Sequence, residues 1–326
     1  MLSTACYPYL MLLLKGKWYI LHLCEKDHTH KTYKGRAPSW ILETTSSTMA
    51  GQEELVIRKI CEIYYQLSKL QDLNPSKQVD SLFNQLVLTC KQPSNIDVAN
   101  LRGEAQEIRP KLIKLCGTAE GLLESHFSTL IGSQNDPLRH LRLFPYYSNY
   151  LKLTKIEFNM LREIYDEKQV VPKQVAFVGS GPLPLTSIIL ATNHLKATCF
   201  HNYDMDASAN AKALKLVSSD PGLSKRMFFH TTNIMNVSSA LSEYEIVILA
   251  ALVGMEHTEK VNVIKHLAKH MAPGAILLLR SAHGARGFLY PVIDPRNDLQ
   301  LQGFRVLSIF HPTDDVINSV VVAVKA

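Results

Sequence analysis

The sequence predicts an α/β fold, a doubly wound parallel sheet ending in an antiparallel hairpin and preceded by an all-helical N-terminal domain. Three observations carry this. From residue 53 to about 165 the apolar residues recur at helical spacing, with no convincing strand among them. Beyond Val171-Pro172, short β-branched runs alternate with amphipathic helical segments, which is the rhythm of parallel βαβ units. At the end, two strand-like runs at 304–310 and 316–324 are joined only by Pro312-Thr313-Asp314-Asp315 and its flanks. Strands joined so tightly must run antiparallel.

In chain order, residues 1–48 stand apart. An apolar run at 9–14 is interrupted by Lys15 and Lys17 and resumes at 18–24; neither piece approaches the ~20 residues of a membrane helix. The charges follow the apolar run instead of preceding it, which is the wrong order for a signal peptide. Residues 25–49 are polar and aperiodic, so 1–48 reads as a disordered extension with folded sequence starting near Met49. The helical domain, 49–170, carries four apolar stripes. Val56, Ile60, Ile63, Leu67 and Leu70 make the first, and Val79, Leu82, Phe83, Leu86 and Cys90 the second. Ile108, Leu112, Leu115, Ala119, Leu122 and Leu130 make the third, with Pro110 marking a kink or a first turn. Tyr146, Tyr150, Leu153, Glu157, Leu161 and Ile164 share a face of the fourth. In 171–326 the strands are expected at 175–178, 198–202, 227–231, 246–250 and 276–279, with helices at 183–194, 208–217, 236–241 and 259–270 between them.

Composition narrows the function. Hydrophobic residues at 46% and charged residues at 20% are those of an ordinary globular protein. The net charge of +6 comes from scattered Lys and Arg with no basic, aromatic-interleaved stripe, so no nucleic acid is expected, and the mild excess suits a small anionic or zwitterionic substrate. The six cysteines are isolated, with no C-x-x-C pair. They argue for a reducing, cytoplasmic setting and against disulfides or a zinc site. No membrane insertion is expected, and oligomeric state is not legible.

The first expected strand runs into Gly179-Ser180-Gly181-Pro182-Leu183-Pro184-Leu185-Thr186, which opens a helix. Glycines at a strand-to-helix turn let backbone approach a ligand and aim N–H groups at it. The third glycine of the dinucleotide fingerprint is replaced by Pro-Leu-Pro, which favours S-adenosylmethionine, a ligand without a pyrophosphate, over a nicotinamide dinucleotide. Strand two ends at Asp204, placed to accept from ribose hydroxyls, while Asp206 doubles as a helix N-cap. Strand three ends at Asn233, where such domains place a side chain that recognises adenine. Ala250, at the end of strand four, is small enough for the cofactor to lie across it. A terminal hairpin on a parallel sheet points to the methyltransferase-type Rossmann-like fold.

A sulfonium activates all three attached carbons, so this site does not by itself say which group moves. An amine acceptor must lose a proton, which calls for a carboxylate or tyrosine near the sulfonium. A transferred aminocarboxypropyl arm carries a carboxylate, which suits an arginine clamp. Glu120 and Glu124 stand one helical turn apart, although a solvated helix face would explain them as well. Tyr146 and Tyr150 are equally explicable as packing residues. Arg286, on a Gly-flanked loop past strand five, is the expected clamp. His283 reads as a loop residue, and His311, Asp314 and Asp315 as hairpin-turn residues.

These motifs resemble the plant nicotianamine synthases. The segments FPYY and NYLKL around Tyr146 and Tyr150, GSGPLPLT (179–186), LAALVGM (249–255), MAPGAILLLR (271–280) and HPTDDVINS (311–319) are similar almost letter for letter. The resemblance runs from about Gln52 to the C-terminus. It implies condensation of three S-adenosylmethionine molecules by aminocarboxypropyl transfer, release of three methylthioadenosines, closure of an azetidine ring, and no metal or further cofactor. The product chelates iron and other metals in plants. By motif, Glu124 matches the family's base, Tyr150 an acceptor-site tyrosine and Asp204 the ribose acid. Asn233 stands where relatives carry Asp, implying weaker cofactor binding; Asn236 departs likewise, without an assignable consequence. Competing readings are a small-amine methyltransferase, a non-catalytic binding protein and, more remotely, an NAD-dependent dehydrogenase.

Overall fold

The computed structural model describes residues 9–14, 17–22, 39–168 and 171–326. They fall into two compact units, Met1–Leu55 and Val56–Ala326. In the first, β1 (Tyr9–Leu14) and β2 (Lys17–His22) pair antiparallel, Tyr9 opposite His22 and Leu14 opposite Lys17. Two apolar runs of equal length, close in sequence, satisfy each other's backbone groups by pairing. Within the stretch 1–48, expected to lack structure, these two strands and the start of α1 (Ser39–Leu67) are described. The rest of that stretch lies outside the described residues.

The second unit holds the site. Its helical elements, the part of α1 from Val56 onward, α2 (Lys77–Cys90), α3 (Gly103–Gly132) and α4 (Tyr147–Lys168), follow the expected stripes. Ser76 caps α2 by accepting from the Val79 N–H at 3.3 Å. Pro110 lies inside α3, well past its first turn. Ile60, Leu67, Leu86 and Leu112 close a core that also takes in Ala285 and Phe288 from the segment after the fifth sheet strand.

After α4 the chain alternates as predicted. The elements are β3 (Gln174–Val178), α5 (Leu185–Ile189), β4 (Cys199–Asp204), α6 (Ala207–Val217), α7 (Pro221–Ser224), β5 (Met227–Thr231), β6 (Ile246–Leu249), α8 (His257–His270), β7 (Ile276–Ser281), β8 (Phe304–Phe310) and β9 (Ser319–Lys325). The sheet order is β5-β4-β3-β6-β7-β9-β8. β3 to β7 pair in parallel, and β9 runs antiparallel to both neighbours. This is the expected doubly wound sheet with a terminal hairpin. Alternate residues serve opposite faces: Val175 and Phe177 join one apolar layer, Ala176 and Val178 the other.

Three boundaries differ. The last strand starts at Ser319, because Val316 packs into the core from the link instead of pairing. The helix expected at 236–241 is two 3-10 turns, Ile234–Asn236 and Ser239–Glu243, too short to propagate an α-helix. The helix at 183–194 ends in a π turn, Leu190–His194.

One ion pair joins the helical layer to the sheet. Arg280 of β7 donates to both carboxylate oxygens of Glu157 on α4, at 2.6 and 3.0 Å, and to Thr186 Oγ1 of α5 at 2.7 Å. Neither ionic side chain is more than 5% exposed. Burial alone would lower the Arg280 pKa, but Glu157 more than offsets it and the guanidinium is held charged. Replacing Glu157 by Ala leaves that charge uncompensated, which costs about 3–5 kcal/mol. Urea unfolding of Glu157→Ala is expected to show a loss of this size; a loss under ~1 kcal/mol, the size of an exposed pair, would contradict the pair's role.

Candidate active site

The site lies where the strand order reverses, at the carboxyl ends of β3 and β6, the crevice in which such sheets bind ligands. After β3 the chain turns through Gly179 and Gly181 with φ of +78° and +66°, a region closed to most side chains. Both are also crowded: a Cβ on Gly179 would lie 2.2 Å from Val253 Cγ2, and one on Gly181 2.8 Å from Glu124 Oε2. The glycines therefore let the loop pass under a carboxylate of α3. Asp204, at the end of β4, accepts from the Gly181 N–H at 2.9 Å and from the Asp206 N–H at 3.0 Å, fixing the loop's shape. Asp206 accepts from the Ser208 N–H at 2.8 Å, capping α6 as expected.

A cavity of ≈ 490 Å³ opens over this loop, lined by Gly179, Ser180, Gly181, Asp204, Ala250 and Glu124 among others. A second, of ≈ 590 Å³, is more apolar and lies between α2, α3, the start of α4 and the link before β9. Glu120, Glu124, Tyr150, Tyr290 and Asn318 line both, so these residues form the boundary between two adjoining chambers.

That boundary is two acid–tyrosine pairs. Tyr150 Oη donates to Glu124 Oε1 at 3.0 Å, and Tyr290 Oη to Glu120 Oε2 at 2.9 Å. Burial, reinforced by the neighbouring Glu120 charge, pushes the Glu124 carboxyl up to about 8 against the pull of Tyr150 and Arg280. Burial raises Glu120 as well, while Tyr290 and Arg280 lower it. Both phenols are driven up by burial and by the carboxylates they face, so they stay protonated donors. The Arg280 guanidinium sits 6.0 Å from the Tyr150 ring centre, near enough to orient the ring.

Seven of the nine expected site residues line the first cavity: Glu124, Tyr150, Gly179, Ser180, Gly181, Asp204 and Ala250. Two do not. Arg286 donates to the carbonyls of Pro312 and, at 2.8 Å, Asp314; it ties the segment after β7 to the β8–β9 link and lines neither cavity. Both terminal nitrogens of the guanidinium expected to clamp a substrate carboxylate are thus engaged by carbonyls of the link, while its buried Nε has no hydrogen-bond partner. Asn233 is likewise outside both linings; its Oδ1 accepts from the Met235 N–H at 2.9 Å and caps the 3-10 turn. The arginine that does line the chamber is Arg280, whose signal was a charge closing the apolar run of β7. Lys260 was also missed. It falls on the apolar stripe of α8, is fully buried, and donates to the Ala250 and Ala251 carbonyls at 2.9 and 2.8 Å. Burial pulls its pKa down to about 7, and its bonds fix the backbone beneath the cavity. Among the turn residues, His311 Nδ1 lies 2.8 Å from Ser319 Oγ and its ring stacks on His283, and Asp315 pairs with Lys152 at 2.7 Å. No cluster of three or more metal-ligating side chains occurs among the described residues.

The closeness of Gly181 to Glu124 yields a prediction. Gly181→Ala forces an L-residue into positive φ, costing about 1–2 kcal/mol, and drives its methyl against Glu124 Oε2. A ~1 Å displacement of a group positioned for the chemistry costs up to ~100-fold in rate. Turnover should therefore fall by at least tenfold at a temperature where circular dichroism shows the variant folded; turnover within twofold of the parent would show that the contact is not tight.

The family profile described as "Nicotianamine synthase protein" matches residues 49–326. Nicotianamine synthase from Solanum lycopersicum is 58% identical over 270 residues, 83% of each chain. Nicotianamine synthase 3 from Arabidopsis thaliana is 59% identical over 279 residues, 85% of this chain and 86% of that one. Among solved structures, MtNAS in complex with MTA and tNA superposes with a TM-score of 0.66 at 20% identity, covering 83% of this chain and 97% of the other. A mutant MtNAS in complex with S-adenosylmethionine gives 0.66 at 21%, covering 83% and 98%. The structural likeness shows the shared fold, and the sequence match over most of the chain shows more: this chain belongs to the nicotianamine synthase family.

Proposed function

We propose that the chain condenses three S-adenosylmethionine molecules into nicotianamine, with Glu124 as the base that deprotonates the attacking amine. The observation that carries this is the Glu124–Tyr150 pair standing between two chambers, its carboxyl raised toward the range a general base uses near neutral pH. The loop at 179–181 and Asp204 hold the donor in the first chamber, as their place at the switch point supports. The second chamber takes the acceptor, and the helical segment 49–170 serves as the cap that builds it.

Each transfer balances simply. The acceptor ammonium gives a proton to Glu124; its nitrogen pair then forms a bond to the γ-carbon of the donor arm. The C–S bond breaks, its electrons go to sulfur, and neutral methylthioadenosine leaves. Two such bonds join units and a third, within one unit, closes the four-membered ring. Tyr150 orients the carboxylate while remaining protonated. The sulfonium of the donor favours ionised Glu124, so loading the donor prepares the base.

The free cysteines Cys61, Cys90, Cys116 and Cys199 suit a reducing compartment, and we place the reaction in the cytoplasm. No helix among the described residues is long and apolar enough to cross a membrane.

Purified protein given S-adenosylmethionine alone is expected to yield methylthioadenosine and nicotianamine in a three-to-one ratio by mass spectrometry. Glu124→Gln should lower turnover by roughly 10²–10⁴-fold, the usual worth of a positioned base, while still binding the donor in calorimetry. S-adenosylhomocysteine in place of methylthioadenosine would overturn the reading in favour of methyl transfer.

A further inference from the structure

Glu120 takes no proton in the transfer step above, beyond its part in raising Glu124, yet its placement matches that of Glu124. It sits one helical turn earlier on α3, accepts from its own half-buried tyrosine, Tyr290, at 2.9 Å, and lines both chambers. A solvated helix face would show neither the tyrosine bond nor the cavity. Two further polar groups in the same lining point to a ligand. Ser180, 4% exposed, has a buried Oγ with no hydrogen-bond partner, and so does the buried Nδ2 of Asn318. Orphaned buried donors of this kind are rare in folded proteins, and here both belong to residues lining a chamber whose substrate units each carry a carboxylate.

The chemistry of chain growth supplies the spacing. Every aminocarboxypropyl arm places its amine three carbons from the nitrogen it has just joined. Consecutive nitrogens of the growing chain are therefore four bonds apart, roughly 5 Å when extended. Side chains at i and i+4 of a helix stand about 5–6 Å apart at Cβ. We propose that Glu120, held by Tyr290, binds the ammonium of the neighbouring unit while Glu124 deprotonates the attacking amine, so that one turn of α3 sets the register of the growing chain. This rests on the proposed condensation and deepens it: Glu120 governs retention of the two-unit intermediate for the last transfer, whereas Glu124 serves every transfer.

The test separates product identity from rate. Wild type, Glu120→Gln, Glu120→Asp and Tyr290→Phe are each given S-adenosylmethionine, and methylthioadenosine, nicotianamine and two-unit products are quantified by mass spectrometry. Glu120→Gln is expected to lose nicotianamine roughly 10- to 100-fold, the worth of one charge-assisted hydrogen bond. Methylthioadenosine should fall far less, its ratio to nicotianamine rising above three as two-unit product is released. Glu120→Asp should restore part of the ratio. Tyr290→Phe should shift it in the same direction as Glu120→Gln, and it carries the test if Glu120→Gln does not fold. A ratio that stays at three in both Glu120→Gln and Tyr290→Phe, with both products falling together, would overturn this inference and leave the condensation standing. A wild-type protein that makes no nicotianamine would instead remove the function on which it rests.

Discussion

The ion pair between Glu157 and Arg280 is the constraint on which the rest of the site depends. It crosses from α4 to β7 and also reaches Thr186 at the start of α5. The helix that carries Tyr150, the strand that floors the chamber and the helix opened by the glycine loop are thereby locked in one frame. Because α4 is tied down two turns beyond Tyr150, the phenol has a fixed direction in which to meet Glu124. The pair also sets the electrostatics. A lone guanidinium in this chamber would pull both glutamates down and repel a cationic donor. With Glu157 bound, its charge is largely compensated where it arises, and burial dominates at Glu124.

The chamber therefore gathers acidic groups around a cationic substrate without ionising them all at once. Glu124 is raised by burial and by Glu120, and each is steadied by a phenol that stays protonated. A sulfonium entering this environment brings a positive charge close to the acids, so donor binding and ionisation of Glu124 are coupled in sign. Lys260 stays on the far side of the backbone, bonded to the Ala250 and Ala251 carbonyls. Burial pulls its pKa down to about 7, which reduces the positive charge it presents behind the cavity as pH rises through neutral.

Much of this was legible in the sequence, and the reasons differ by residue. The period change at 171–172 gave the fold, since a helix and a buried strand repeat at different intervals. Gly179 and Gly181 were readable because positive φ and close approach both demand glycine. Glu124 and Tyr150 were named through the family resemblance; their spacing alone fitted a solvated face or packing, because 26 residues separate them and only the fold brings them together. The bonds of Arg286 were not legible, because a Gly-flanked loop arginine looks free and the carbonyls it meets lie across the β8–β9 link. Arg280 was passed over because its neighbours read as a buried strand, and its partner Glu157 lies 123 positions away. Long-range polar pairs leave no local pattern.

The protonation of Glu124 tests the account most directly. Difference infrared spectroscopy of the free enzyme across pH, with Glu124→Gln subtracted, isolates the carboxyl band of this one side chain. The site described here predicts a protonated band that persists at neutral pH and is lost through a midpoint near 8, moving down when S-adenosylmethionine is bound. A midpoint near the ordinary glutamate value of ~4.3 would contradict it, since the carboxylate would then be a solvated charge and not a base held between two chambers.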